Sequence, residues 1–366
     1  MKISIQREEI LKPLQQVIGA VEKRQTLPAL ANVLIRSEGD GLSITATDLE
    51  VELVAYVDKA ADEPGEVTIP ARKLADICKA LPDGAAITIT TEGEKAMVTS
   101  GKSRFTLSTL PAAEFPALEE VASSREFGIP QGALKRLIEK TGFAMANQDV
   151  RYYLNGLMME VTEGKLRAVA TDGHRLAMSQ CDAAVDSQTP QQVIVPRKGV
   201  QELMRLLGDS EEAASIALSS NHIRVRLDGV RFTSKLIDGR FPDYERVLPQ
   251  GGDKEVEIDR DVLRQSLQRA SILSNEKYRG IRLSFEPGVL RIQAHNPEQE
   301  EAQDEIEISY DGAPLEIGFN VNYLLDVLNT VEGDSVQGTL KDQNSSALLR
   351  DPADPASVFV VMPMRL

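Results

Sequence analysis

A unit of roughly 120 residues occurs three times in this sequence, and that repetition restricts its fold more than any other feature. The strand-like segments Ile44-Thr-Ala-Thr-Asp48, Ala168-Val-Ala-Thr-Asp172 and Ile292-Gln-Ala-His-Asn296 align at Ala46, Ala170 and Ala294, each 124 residues apart. A helix pattern recurs in the same phase at Leu74, Ile77, Cys78, Leu81, then Val200, Leu203, Met204, Leu207, then Leu324, Val327, Leu328, Val331. Each set is spaced i, i+3, i+4, i+7 and makes one apolar stripe. An earlier helix repeats through Ile10, Leu11, Leu14, Val17, Ile18 and Val21, through Leu134, Leu137 and Ile138, and through Val262, Leu263 and Leu267. Pro13 is expected to kink or delay its first copy. Pro70 and Pro196 suit a first helical turn, Asn320 suits a cap, and Gly84, Gly208 and Gly333 follow the helix ends. Closing strands around Phe105, Phe232 and Phe359 are each 127 residues apart. The expected fold is therefore α+β: three tandem copies of two helices plus antiparallel sheet, over 1–124, 125–252 and 253–366, with boundaries near Ser123-Ser124 and Gly251-Gly252. Three near-equivalent copies make an arc, which two chains pairing head to tail would close.

Charge sharpens this picture. The formal net charge is −15, which by itself argues against a nucleic-acid partner. The six helical windows 6–25, 70–80, 131–145, 196–207, 259–273 and 320–330 nevertheless hold 16 Lys or Arg against 9 Asp or Glu, while the remainder holds 25 against 47. Helices lining a hole would give a positive interior inside a negative shell, attracting phosphate there and repelling it elsewhere. Lys and Arg are also good helix formers on any solvated face, so both readings stand at this point. Aromatics are 4% with no Trp, too few for a platform that stacks single-stranded bases. No apolar run is long enough for a membrane span, no signal peptide precedes Met1-Lys2-Ile3-Ser4, and Cys78 and Cys181 lie far apart in apolar patterns. The expectation is a reducing cytoplasm and no membrane.

Six tracts carry a resemblance: Gln148-Asp-Val-Arg151-Tyr152-Tyr153-Leu154-Asn-Gly156, Ala170-Thr-Asp-Gly-His174-Arg-Leu176, Val195-Pro-Arg-Lys198-Gly, Asp238-Gly-Arg-Phe-Pro-Asp-Tyr244, Ile272-Leu273-Ser-Asn-Glu-Lys277 and Val361-Met-Pro-Met-Arg-Leu366. In order and spacing, from Met1 to Leu366, they resemble the bacterial DNA polymerase III β subunit family, the sliding clamps. The resemblance implies three DNA-clamp domains per chain and a head-to-tail homodimeric ring of six domains, with twelve helices inside and continuous sheet outside. It implies a non-catalytic processivity factor that encircles duplex DNA and tethers the replicative polymerase, the clamp loader and repair or translesion factors through short linear peptides.

Three sites follow from it. The positions matching backbone contacts are Arg24, Arg72, Gln148, Arg151, Tyr152, Tyr153, Arg197 and Lys198, with Asn147 standing where some members carry histidine. Phosphate contacts position a protein without reading sequence, which suits sliding. Strand packing is the other reading of Tyr152 and Tyr153. The positions matching a peptide pocket are Leu154, Thr171, Gly173, His174, Arg175, Leu176, Pro242, Val247, Asn320, Tyr323, Ser346, Val360, Val361, Met362, Pro363, Met364, Arg365 and Leu366. Met362, Pro363, Met364 and Leu366 are too apolar for a frayed tail, and Met adapts to several ligands. Simple completion of the third sheet is the alternative. The ring-closing joint would set Ile272 and Leu273 against Phe105 and Leu107, with Glu298, Glu300, Glu301 and Asp304 meeting Lys73, Lys102 and Arg104.

An enzyme is the rival class, with His174 as base and Asp172 as its orienter. No nucleophile elbow, phosphate-binding glycine loop or histidine pair at metal spacing accompanies them, so neither ATP nor any cofactor or metal is expected. Asp172-Gly-His174 also corresponds to Asp48-Leu-Glu50 and Asn296-Pro-Glu298, which reads as one turn decorated three ways. A peptide-binding scaffold that ignores DNA is a further reading, distinguished by lack of salt-sensitive retention on DNA.

Overall fold

The computed structural model describes residues 1–21, 27–116, 125–185 and 189–365; the expected boundary at Ser123-Ser124 lies outside the described residues. The same element order runs three times. The first repeat has β1 (Lys2–Gln6), α1 (Arg7–Val17), β2 (Asn32–Glu38), β3 (Gly41–Thr47), β4 (Val51–Val57), β5 (Glu66–Pro70), α2 (Ala71–Ala80), β6 (Ala86–Glu92), β7 (Lys95–Ser100) and β8 (Ser103–Ser108). The second has β9 (Arg125–Pro130), α3 (Gln131–Thr141), β10 (Gly156–Thr162), β11 (Lys165–Thr171), β12 (Arg175–Asp182), β13 (Gln191–Pro196), α4 (Arg197–Leu206), β14 (Ala213–Leu218), β15 (His222–Leu227) and β16 (Val230–Lys235). The third has β17 (Lys254–Asp259), α5 (Arg260–Ser271), β18 (Gly280–Glu286), β19 (Val289–His295), β20 (Glu301–Glu307), β21 (Leu315–Asn320), α6 (Val321–Thr330), β22 (Ser335–Leu340), β23 (Ala347–Asp351) and β24 (Asp354–Val361).

Packing does not follow the repeat. Two compact units form, residues 1–132 with 198–236, and 133–197 with 237–366, so the second repeat is divided between them. In the first unit, one sheet runs β1-β6-β7-β8 and the other β5-β2-β3-β4-β16-β15-β14-β9. In the second unit, one runs β13-β10-β11-β12-β24-β23-β22-β17 and the other β20-β19-β18-β21. All pairings are antiparallel. Strands of different repeats thus join edge to edge, at β4 with β16 and at β12 with β24. The joins place Leu53 opposite Phe232 and Ala177 opposite Phe359, and both phenylalanines are fully buried.

The helices bury the stripes their sequences offered: Leu74 and Cys78 in α2, Val200 and Leu203 in α4, Leu324, Val327 and Leu328 in α6. Asn320 caps α6, accepting from the Asn322 amide at 2.9 Å. Pro13 neither delays nor ends α1, which runs from Arg7 through Val17; the buried ring packs with Ile10, Leu14 and Val17, holding the turn whose hydrogen bond it removes. Pro70 and Pro196 close strands β5 and β13 and stand immediately before the helices, Pro70 as the N-cap of α2 and Pro196 one residue before α4 begins, a step earlier than the first helical turn expected for them. They pair at the last register positions, opposite Asn32 and Gly156, where a missing N–H is tolerated.

Cations on helix ends tie repeats together inside each unit. In the first, Arg205 of α4 donates to the Gln15 and Gln16 carbonyls of α1 at 2.8 and 2.9 Å. In the second, Lys140 of α3, only 2% exposed, donates to the Thr330 carbonyl of α6 at 2.6 Å and meets Glu332 at 3.1 Å and Asp354 at 3.9 Å. Burial would raise the Glu332 carboxyl, but hydrogen bonds from Arg136 and Lys140 outweigh it and hold it below the ordinary value. The Glu332 side chain is itself 55% exposed, so solvent screens its pair with Lys140, and removing Glu332 should cost well below what breaking a fully buried pair costs.

Candidate nucleic-acid interface, partner pocket and edge strands

Residues 146–155 of the second unit form a loop pinned at its base. The Ala146 amide donates to the Leu154 carbonyl at 3.0 Å, and Asn155 both accepts from the Asp149 amide and donates to its carbonyl, at 2.9 and 2.8 Å. Gln148 adopts a positive φ of 57°, which turns the chain outward and leaves Val150 95% and Tyr152 57% exposed. Tyr153 is half-buried and meets Tyr152 edge-on at 5.7 Å. The two tyrosines therefore divide the two readings, Tyr152 facing solvent and Tyr153 packing on the core.

The loop's cations already have partners. Arg151 donates through Nε and Nη2 to Asp149 at 3.0 and 2.8 Å and through Nη2 to the Asp172 carbonyl at 3.0 Å. The Arg151 side chain and amide hold the Asp149 carboxyl at a pKa of about 2. Arg197 donates to the Met145 carbonyl at 2.9 Å, and its amide donates to the Asn155 carbonyl at 2.9 Å, so it braces the loop from below. In the first unit, Lys198 is ion-paired with Asp48, whose carboxylate also accepts from the Glu50 and Val51 amides, and Arg72 is exposed on the first turn of α2. Arg24 lies outside the described residues.

The residues expected to form a pocket are grouped in the second unit, apart from Leu366, which lies outside the described residues. Leu154, Leu176 and Val360 are at most 2% exposed and form a floor continuous with Phe241, Tyr244 and Leu348, with Val247 packed against it. Val361 is wholly covered between Arg175 and Ala347 and supports the floor from within the sheet. At the rim, the His174 ring stacks on Tyr323 at 6.4 Å and 17°, while Arg175 lies over Tyr323 at 4.7 Å and pairs with Asp172 and Asp326. The final segment is held at two points: the Met362 amide donates to the His174 carbonyl at 2.9 Å and the Met364 amide to the Gly318 carbonyl at 2.8 Å. Met362, Pro363 and Met364 are half-exposed; Met364 lines a cleft of about 420 Å³ with Arg282, Glu316 and Asn344, and a second cleft of about 470 Å³ includes Val247, Leu248, Lys341 and Ser346. Both clefts mix apolar side chains with several polar and charged ones, so they suit a ligand that carries both kinds of group.

Val247 packs on the floor, Pro242 is exposed, and the segment that carries both is held by a network that the sequence did not reveal. Tyr244 donates to Glu160 at 2.9 Å, Glu160 also accepts from Gln192 at 2.7 Å and Arg167 at 3.1 Å, and Arg167 reaches Gln180. The segment 241–247 is thereby strapped onto strands β10 to β13.

Edge strands end the two four-stranded sheets. Strand β8 carries Phe105, half-exposed, beside exposed Lys102 and Arg104; Leu107 is 9% exposed and belongs mainly to its own core. Lys73 is exposed on α2. Strand β20 begins after exposed Glu298 and Glu300 and carries Glu301 and Asp304. Asp304 is already engaged, accepting from Arg269 at 2.5 Å and Ser266 at 2.8 Å, so it ties α5 to β20 instead of standing free. Ile272 is 75% exposed at the end of α5 and Leu273 is half-buried.

The residues of the enzyme reading serve a turn. Asp172 accepts from the His174 and Arg175 amides at 2.9 and 3.1 Å, not from the imidazole. Asp48 does the same for Glu50 and Val51 at the equivalent position. Burial pushes the Cys78 and Cys181 thiols up to about 11, away from nucleophilic ionisation. Among the described residues no cluster has the makings of a metal site.

Residues 1–119, 128–243 and 245–365 match, respectively, the N-terminal, central and C-terminal domains of the DNA polymerase III beta subunit. The chain is 59% identical to the beta sliding clamp of Pseudomonas aeruginosa and 52% identical to that of Escherichia coli, over the full length of each. It superposes on a crystal structure of the Pseudomonas aeruginosa DNA polymerase III subunit beta with a TM-score of 0.98 at 58% identity, covering both chains entirely. A second crystal structure of a Pseudomonas aeruginosa DNA polymerase III subunit beta, bound to griselimycin, matches with a TM-score of 0.97 at 58% identity, again over both whole chains. The chain belongs to the DNA polymerase III beta subunit family.

Proposed function

We propose that this protein is a DNA sliding clamp: two copies close head to tail around duplex DNA and hold the replicative polymerase, the clamp loader and repair or translesion factors on it, without catalysing a reaction. The domains are taken as 1–124, 125–252 and 253–366. No helix among the described residues is long and apolar enough to cross a membrane. The place of action proposed with this role is the cytoplasm, at replication forks.

The observation that carries this reading is the pair of unmatched edges. Wherever two repeats follow each other, the fourth strand of one pairs with the last strand of the next, β4 with β16 and β12 with β24. The remaining equivalents are β20 and β8, each at the end of a four-stranded sheet. Ala302 faces Ala294 as Leu53 faces Ala46 and Ala177 faces Ala170. A third join of the same kind therefore sets Ala302 of one copy opposite Phe105 of a second, and Gln303 opposite Arg104. It would turn two exposed edges into continuous sheet, removing a feature that otherwise invites aggregation. Ile272 and Leu273, just past the helix tied to β20, would lie beside the join; the same register sets Lys102 opposite Glu305 and Arg104 diagonally between Glu301 and Glu305, while Glu300 falls opposite Leu107 and so, like Glu298, away from Lys102. Rim pairs contribute only about 0–1 kcal/mol each but select the partner end.

Inside such a ring, Arg72, Gln148, Arg151, Tyr152, Tyr153, Arg197 and Lys198, with Arg24, would meet the sugar-phosphate backbone. The loose contact this requires fits cations that already have carboxylate or carbonyl partners, because each phosphate bond replaces an existing one. The pocket around Leu154, Leu176, Val360 and Met362 would take partner peptides, and we propose that griselimycin, to which a related clamp was solved bound, is a ligand of this same pocket and so a probe of it.

The join has a direct test. With Arg104→Cys and Gln303→Cys in one chain, mild oxidation should give covalent dimers on denaturing gels, whereas either single variant should not. Failure of the double variant to cross-link, with native dimers present, would contradict this register.

A further inference from the structure

The DNA-contact loop and the partner pocket share one arginine. The turn from Thr171 to Arg175 supplies pocket residues, and its own bonds are local: the Thr171 hydroxyl donates to the Arg175 carbonyl at 2.6 Å and accepts from the Gly173 amide at 3.0 Å. Arg151 braces it from outside. Its Nη2 donates to the Asp172 carbonyl at 3.0 Å, and its guanidinium lies so close on Gly173 that an added Cβ would stand 2.8 Å from Nη1. Gly173 has φ of +88°, so the position requires glycine on conformational grounds as well. The turn in turn holds the final segment, through the His174 carbonyl that accepts from Met362 at 2.9 Å. On the other side, Tyr152–Leu154 form one short 3-10 turn that carries exposed Tyr152 at one end and the pocket-floor Leu154 at the other.

We propose that Arg151 is a positioning residue of the partner pocket as well as a phosphate contact, so that duplex DNA inside the ring weakens binding at the pocket. The proposal rests on the clamp reading above. A phosphate oxygen carries a full negative charge and the Asp172 carbonyl none, so phosphate is the stronger acceptor for the guanidinium and draws it off the turn. Gly173 then loses its cover and the His174 carbonyl its fixed place, and the anchor of Met362 loosens. By linkage, a pocket ligand that fixes the turn weakens duplex binding by the same factor.

The test measures griselimycin affinity of the full-length protein by calorimetry, with and without saturating short duplex, in the wild type and in Arg151→Ala. The wild type should lose about 5-fold or more in affinity when duplex is present, the lower end of typical couplings between sites. Arg151→Ala should bind griselimycin about as weakly without duplex as the wild type does with it, and duplex should make no further difference. An unchanged wild-type affinity overturns the proposal. So does an equal loss in Arg151→Ala, which marks direct steric competition. A wild type that binds neither griselimycin nor duplex alone overturns the clamp reading itself, and the coupling with it.

Discussion

Replacing Ile272 and Leu273 together by alanine should leave the protein monomeric at low micromolar concentration, with its fold intact. Ile272 is 75% exposed and Leu273 half-buried, so neither is a main support of its own core. Their surface gains cover only if a second copy lies on it. Full covering of a large aliphatic side chain contributes about 1.5–3 kcal/mol, and Leu273 has only part of its surface left to cover, so the pair contributes about 2–4 kcal/mol at each joint. Every 1.4 kcal/mol is tenfold in affinity, and two joints must part to release monomers, so the dissociation constant should rise by about three orders of magnitude or more. Light scattering would report the 40.1 kDa chain in place of twice that mass. An intact dimer at that concentration would contradict the joint.

Removing residues 362–366 should abolish griselimycin and partner-peptide binding while leaving the dimer closed. The segment contributes Met362, Pro363 and Met364 as half-exposed apolar wall, and it is held across the pocket by amides of Met362 and Met364. Without it, the buried floor of Leu154, Leu176 and Val360 has no wall on that side. The loss expected is about 100-fold or more, comparable with removing a central anchor of about 3 kcal/mol from an interface. The edges β8 and β20 contain none of the deleted residues, so light scattering should still give dimer. Unchanged ligand affinity would remove the segment from the site.

Much of the architecture was legible because it repeats. Three copies of one apolar pattern reveal their helices and strands jointly, and Ala46, Ala170 and Ala294 indeed occupy the same register in β3, β11 and β19. What periodicity does not encode is which edge a strand joins. The pairing of β4 with β16 and β12 with β24 is decided between repeats, by shape and twist, so the division into two packing units had no local signal. Lys140 was equally hidden: its spacing on α3 reads as a solvated position, and only the approach of Glu332, just past α6, and of Asp354 in β24 makes a buried ammonium tolerable. Asp149 and Asp172, flanking the loop cations, look like ordinary turn aspartates; the first also binds a guanidinium and the second orders a turn. Tyr244 stood in a tract singled out by resemblance, yet its strap to Glu160 and Arg167 depends on strands more than 70 residues earlier. Pro70 and Pro196 marked their helix starts to within a residue, but nothing in the sequence showed that the same residues also end the preceding strands, pairing with Asn32 and Gly156.

The most direct measurement of the central claim is retention on nicked circular DNA. The protein is placed there by an active clamp loader with ATP, washed in high salt, and the circle is then cut once. Phosphate contacts alone weaken steeply with salt, whereas a closed ring has no path off a circle. The ring account predicts survival through the wash and release when the DNA becomes linear. Loss in the wash, with the loader shown to be active, would contradict it.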